Sequence, residues 1–286
     1  MKFNNKFVLI FLLLLGIYSS TESAEDFWDG KQYINNSSLQ FKWASKYIEK
    51  LKLKGNEKIL DIGCGDGRIT ALIAKSISNG YIIGIDNSIS MLEIANQVKD
   101  NSKNQNLKFI KCDARELNFD NVFDYIVSFS CFHWLSDHLV VLKNIEKALK
   151  PNGRIFLYFA PDHGSNRLDH AISIIASTKK WQNYFSDFSN PFSLSTPAQF
   201  LKYSEEAKLL LKRIEILTID EVFQTKEAFL EWMTGWMPHL KQLPKELHRT
   251  FLDEIIDYYL KHHPLDDENT YHYIDYWMEV ELLKSA

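Results

Sequence analysis

The chain has 286 residues, 45% of them apolar and 24% charged, with 33 basic against 37 acidic side chains and a net charge of −4. That balance supports a sizeable buried core and argues against disorder. Basic runs no longer than Lys50–Lys54 disfavour a phosphate-held partner, so no nucleic acid is expected.

Residues 1–24 stand apart. Lys2 and Lys6 precede the uncharged apolar run Phe7–Tyr18, and small residues up to Ala24 follow. This is the order of a secretory signal, with cleavage expected near Ala24. The run is short of the ~20 residues that span a bilayer, so no stable membrane span is expected once it is removed. The two lysines favour an amino terminus left on the cytoplasmic side. The expected product is an exported domain over 25–286; a membrane-anchored or cytoplasmic protein is the alternative. Three cysteines, Cys64, Cys112 and Cys131, form no disulfide framework.

Residues 25–38 are polar and aromatic, a loop or short helix. Leu39–Leu51 carries apolar residues at helical spacing. Lys58–Ile62 then reads as a strand that runs into Gly63-Cys64-Gly65-Asp66-Gly67, followed by a helix over Ile69–Ser76. A second strand, Tyr81–Ile85, ends at Asp86, and a helix over Ser90–Lys99 is capped by Asn87 or Ser88. Lys108–Cys112 is a third strand ending at Asp113, and Phe123–Phe129 a fourth. A helix over Asp137–Lys150, the turn Pro151-Asn152-Gly153 and a fifth strand, Arg154–Ala160, complete the alternation. Apolar strands alternating with helices predict an α/β domain whose parallel sheet is covered on both faces. Beyond Pro161 the spacing predicts helical cover with loops to Tyr203, a strand over Arg213–Val222, helix over Phe229–His263 and a closing strand over Tyr271–Leu283. The late strands join the same sheet, so a core over 39–160 and a cover over 161–286 form one domain.

A strand, a glycine loop and a helix begin a nucleotide-type site, because glycine admits positive φ and close ligand approach. A dinucleotide site asks for Gly-x-Gly-x-x-Gly; here Arg68 occupies the third glycine position. Asp61 before the loop suits an amine rather than a pyrophosphate. Asp86 can accept both hydroxyls of a ribose, and Asp113 can accept from an adenine amino group. Ligands of open parallel sheets lie beyond the carboxyl ends of the strands, where all three acids stand. The ligand implied is a nucleoside with an amino-acid tail and no phosphate, which S-adenosylmethionine satisfies.

Leu60-Asp61-Ile62-Gly63-Cys64-Gly65-Asp66-Gly67 resembles the first motif of the class I S-adenosylmethionine-dependent methyltransferases. Gly84-Ile85-Asp86 through Met91-Leu92, Cys112-Asp113-Ala114 and Leu149-Lys150-Pro151-Asn152-Gly153 resemble its later motifs. The resemblance covers about 40–160. It implies a Rossmann-like, mostly parallel seven-stranded sheet of order 3-2-1-4-5-7-6 with strand seven antiparallel. It also implies backbone contacts to the cofactor from Gly63 and Gly65, a ribose on Asp86, and adenine held by Asp113, Ala114 and Met91. More narrowly, Val127-Ser128-Phe129-Ser130-Cys131-Phe132-His133-Trp134 with Lys143-Asn144-Ile145 is similar to juvenile hormone acid methyltransferases and, more distantly, to trans-aconitate methyltransferases. Tyr33 with Gln40, Lys180–Tyr184 and Asn190-Pro191-Phe192 belong to the same likeness, and Ser130 is assigned with it to the cofactor site.

Those enzymes methylate carboxylates of small molecules. A carboxylate is ionised at neutral pH and needs donors and a dry pocket rather than a base. The resemblance implies that Gln40 and Trp134 orient the acid, with His133 beside them. A hydroxyl, phenol or amine acceptor, with His133 as base, is the alternative, and an exported cofactor-binding protein without turnover is another. No His-Glu-x-x-His or paired Cys/His spacing occurs, so no metal is expected.

Overall fold

The structure, a computed structural model, describes residues 26, 28–102 and 104–286. The signal-type segment 1–24 lies outside the described residues. The polar stretch before the domain holds a short helix, α1 (Gly30–Asn36), started by Asp29, whose carboxylate accepts the Lys31 and Gln32 N–H groups. After α2 (Ser38–Ile48) the chain alternates through β1 (Lys58–Ile62), α3 (Arg68–Ser76), β2 (Tyr81–Asp86), α4 (Ile89–Ser102), β3 (Leu107–Lys111), β4 (Phe123–Phe129), α5 (His138–Ala148) and β5 (Leu149–Phe159). Ser88 is the cap of α4: its Oγ accepts the Met91 N–H at 3.0 Å.

With β6 (Leu209–Phe223) and β7 (Tyr271–Lys284) the sheet has seven strands in the order β3-β2-β1-β4-β5-β7-β6. β1 to β5 run parallel, while β7 is antiparallel to β5 and to β6. Alternate residues of each strand feed two cores, as the two-residue strand period requires. Ile59, Tyr125 and Val127 pack with Trp43, Ala71 and Ile73 on one face. Leu60, Ile62 and Ile126 pack with Val141, Leu142 and Ile145 of α5 on the other.

Two local expectations change. Pro151-Asn152-Gly153 does not separate a helix from a strand but bulges out of β5: Phe123 pairs with Leu149 and Tyr125 with Arg154, and Asn152 takes φ +63°. A looped-out segment keeps both ends in register because the partner strand is shorter there. The helical run expected over Phe229–His263 is divided into α8 (Lys226–Thr234), a 3₁₀ turn at Pro238–Gln242 and α9 (Lys245–Tyr259). Pro238 and Pro244 start new segments because proline lacks the N–H that a continuing helix needs. The earlier cover holds α6 (Leu168–Ala176) and α7 (Pro197–Glu206), the latter with a reciprocal Thr196–Gln199 cap. Among the described residues no helix is long and apolar enough to cross a membrane.

Candidate active site

β1 ends against β2, with Asp61 level with Gly84 and Ile62 level with Ile85. The Gly63 and Cys64 N–H groups both donate to the Ile85 carbonyl at 2.9 Å. This turns the chain sharply away from the sheet, with Gly63 at φ +70° and Gly65 at φ +51°. The Gly65 N–H donates to Asp86 Oδ2 at 2.9 Å, and Asp86 Oδ1 accepts the Ser88 N–H at 2.9 Å. One carboxylate thus joins the glycine loop to the cap of α4. Burial pushes the Asp86 carboxyl up to about 6, against the hydrogen bonds that favour its ionised form. Asp61 is 2% exposed and accepts from Thr70 Oγ1 at 2.7 Å. Burial raises it to about 7, with Asp86 adding to the rise.

Gln40, Asp61, Gly63, Gly65 and Ser130 line one crevice with Tyr33 and Arg68. These residues come from α1, α2, β1 and the glycine loop after it, α3 and the end of β4, and the fold brings them together. Two oxygens of this crevice, Gln40 Oε1 and Ser130 Oγ, are buried without a hydrogen-bond partner. Buried polar atoms are normally paired. Together with the strand-end acids and the positive-φ glycines, the orphaned pair fits an amine-bearing nucleoside such as S-adenosylmethionine. The crevice encloses about 50 Å³, far below the ~300–1,000 Å³ of ligand pockets. Tyr33 of α1 forms one wall of it.

α1 is fastened from outside the crevice. The Ser90 N–H donates to Asp26, the Gly30 N–H to Ser90 Oγ at 2.8 Å, and Gln32 Nε2 to the Thr234 carbonyl at 2.8 Å. Arg68 has a role that its place in the motif did not suggest. Its guanidinium pairs with Asp66 at 2.7 Å, donates to Ser37 Oγ at 2.6 Å and covers the Phe41 ring. Ser37, Asp66 and Arg68 thereby tie α2 to the glycine loop. The sequence signal was the polar filling of that loop, which resembles any solvated turn until the fold closes over it.

Met91, Asp113 and Ala114 stand on the same rim outside this crevice. Asp113 caps the turn Ala114–Glu116 and is gripped by the Arg115 guanidinium at 2.6 Å. Burial opposes its ionisation, but the Arg115 hydrogen bonds outweigh it and hold the carboxyl below the usual range. Met91 and Ala114 are buried.

His133 is 5% exposed, and its Nδ1 accepts the Ala160 N–H at 3.2 Å. A backbone N–H can only donate, so the proton of the neutral ring sits on Nε2. Burial, with Arg167 and His138 nearby, pushes His133 down to about 3. Trp134 stacks on Phe192 at 4.3 Å and meets Trp28 at 4.9 Å, and Trp28 in turn meets Tyr33 at 5.6 Å. The expected acceptor-side residue is therefore linked by ring contacts to the crevice. Cys64, Cys112 and Cys131 are free thiols raised by burial. Among the described residues no group of three His, Cys, Asp or Glu could hold a metal ion.

Known proteins share this architecture. A family model described as "Methyltransferase domain" matches residues 53–251, more than half of the chain. The chain is 25% identical to juvenile hormone acid O-methyltransferase of Drosophila melanogaster over 80% of its own length and 77% of the relative's. It is 27% identical to trans-aconitate 2-methyltransferase of Deinococcus radiodurans over 68% and 76% of the two chains. The solved structure of Haemonchus contortus phosphoethanolamine N-methyltransferase 2 with S-adenosyl-L-methionine superposes with a TM-score of 0.57 at 20% identity, covering 95% of this chain and 61% of that one.

Proposed function

The chain belongs to the class I S-adenosylmethionine-dependent methyltransferases, and on that premise we propose that it methylates the carboxylate of a small lipophilic acid. The cofactor, held by the glycine loop and the strand-end acids, would supply an electrophilic methyl group on a sulfonium. Asp61 would face its ammonium and Asp86 its ribose. Two of the relatives are named for acids.

The observation that carries the reading is the hydrogen bond from the Ala160 N–H to His133 Nδ1. It leaves His133 a donor at Nε2 rather than a base. A hydroxyl, phenol or amine acceptor must lose a proton during transfer, whereas an ionised carboxylate has none to lose. The remaining tasks are alignment at ~3–3.5 Å and exclusion of water. Gln40, through its Nε2 N–H groups, and Trp134, through its indole N–H, are the orienting groups we assign.

The test is transfer of labelled methyl from S-adenosylmethionine into a panel of fatty, terpenoid and tricarboxylic acids, followed by a pH profile. At saturating cofactor and acid, kcat is expected to be flat from about pH 7 to 9, since no base titrates in the loaded enzyme. A rate that climbs tenfold per pH unit through neutrality and vanishes in His133→Ala overturns the carboxylate reading in favour of a protonated acceptor.

We further propose that residues 1–24 direct export and are removed. The support is the order of charge, apolar run and small residues in that segment. Amino-terminal sequencing of the native protein from fractionated cells is expected to begin near Glu25. An intact Met1 in a soluble cytoplasmic fraction refutes export.

A further inference from the structure

A row of aromatic rings leaves the His133–Trp134 turn and runs into the late cover. Phe192 stacks on Trp134, with ring centroids 4.3 Å apart and 26° between planes, and on His133 at 6.2 Å and 25°. Phe192 meets Trp236 edge-on at 6.1 Å, and Trp236 meets Trp232 at 5.3 Å. Trp232 lies in α8, and Trp236 lies just past its end, where its N–H still donates to the Met233 carbonyl. The two indoles therefore share one side of the segment, as their four-residue spacing requires.

Both indole Nε1–H groups are buried and have no hydrogen-bond partner. Trp232 as a whole is 6% exposed. Two other buried indoles are paired, Trp43 to Glu221 at 2.6 Å and Trp181 to Glu254 at 2.7 Å, whereas Trp277 Nε1, on a ring that meets His133 at 5.4 Å, is buried and unpartnered like these two. A buried indole N–H normally finds an acceptor. Two adjacent ones without any, joined by ring contacts to the expected acceptor-side tryptophan, mark a place where a ligand brings the acceptor atoms. Indole N–H groups can only donate, so the complementary group accepts and has no need to donate. An ionised carboxylate is such a group, and the rings around it suit an apolar body.

Resting on the carboxylate reading above, we propose that Trp232 and Trp236 are specificity-determining residues of the acceptor site. Their Nε1–H groups hold oxygen of an amphipathic carboxylic acid whose hydrocarbon packs along Phe192 and Trp134. They act beside Gln40 and Trp134 and select an acid over a neutral molecule of the same length.

The test uses the full-length protein with ¹⁵N-labelled tryptophan, saturated with S-adenosylhomocysteine. Indole ¹H–¹⁵N peaks of Trp232 and Trp236 are assigned by Trp→Phe substitution and, should a variant fail to fold, by proton contacts to the neighbouring rings in the wild type. Dodecanoate, a terpenoid acid and a tricarboxylic acid are titrated, with dodecanol as the neutral counterpart. Both peaks are expected to move with every acid that the enzyme methylates and to stay in place with dodecanol. Trp236→Phe is expected to raise KM for that acid about tenfold or more, the size of one hydrogen bond to a charged acceptor, with a smaller change in kcat. An acid that is methylated while both peaks stay still overturns this assignment and leaves the carboxylate reading intact. Peaks that move with dodecanol and with no acid overturn both. No methylated acid and no moving peak also overturns both.

Discussion

Asp86→Ala is expected to lower the affinity for S-adenosylhomocysteine on the order of 100-fold or more. The carboxylate is expected to accept two ribose hydroxyls, each worth ~1.5–3 kcal/mol as a bond to a charged acceptor. The same side chain already fixes the Gly65 and Ser88 N–H groups, so its loss also frees the loop that would approach the ligand. Calorimetry reads the effect directly, and unchanged binding in Asp86→Ala would sink the assignment. A pH dependence accompanies it. Asp86 at about 6 and Asp61 at about 7 in the ligand-free protein would have to ionise to take the hydroxyls and ammonium proposed for them. Bound ligand favours the charged forms, so affinity is full above about pH 7 and falls as pH drops, up to tenfold per unit for each carboxylate. The linkage for folding has the same origin. Both carboxyls are raised above their unfolded value, so their contribution to stability is complete below about pH 4 and is lost as pH rises through 6 to 7.

Gly63→Ala is expected to cost roughly 2–5 kcal/mol of stability. The residue sits at φ +70°, and an added Cβ would lie 2.1 Å from Cys131 Sγ and 2.5 Å from Cys131 Cβ. The left-handed backbone costs ~1–2 kcal/mol for a residue with a Cβ, and overpacking adds ~1–3 kcal/mol. For a chain of this size that lowers Tm by on the order of ten degrees. Cys131→Gly in the same chain removes the atoms in the way and should recover the packing part alone, leaving the backbone strain; a double-mutant cycle separates the two. A Gly63→Ala protein that melts with the wild type would show that the loop is not held as described.

The contact between Gly63 and Cys131 also shows what single-chain reading leaves out. The sequence shows one in the glycine loop and the other in the segment Val127–Trp134. That they touch follows from β1 and β4 being neighbours, a relation between segments more than sixty residues apart. Arg68 is a similar case. Its position argued against a dinucleotide, but its grip on Ser37 and Asp66 needs α2 folded back over the loop.

By itself the sequence determined the alternating core, the strand ends at Asp61, Asp86 and Asp113, the glycine loop and, through its resemblance, the family and the strand order. These are short-range properties: apolar period, cap residues and turn glycines act within a few residues of one another. The tertiary structure alone decided the looped-out Pro151–Gly153 bulge, the division of the late helix and the length of β6, because partner strands and packing override local preference there. It alone decided that His133 is a donor, since that depends on the Ala160 N–H across the site. The unpartnered indoles of Trp232 and Trp236 belong to the same class. Tryptophans at four-residue spacing read as ordinary core, and only the packed rings show whether each N–H has met an acceptor.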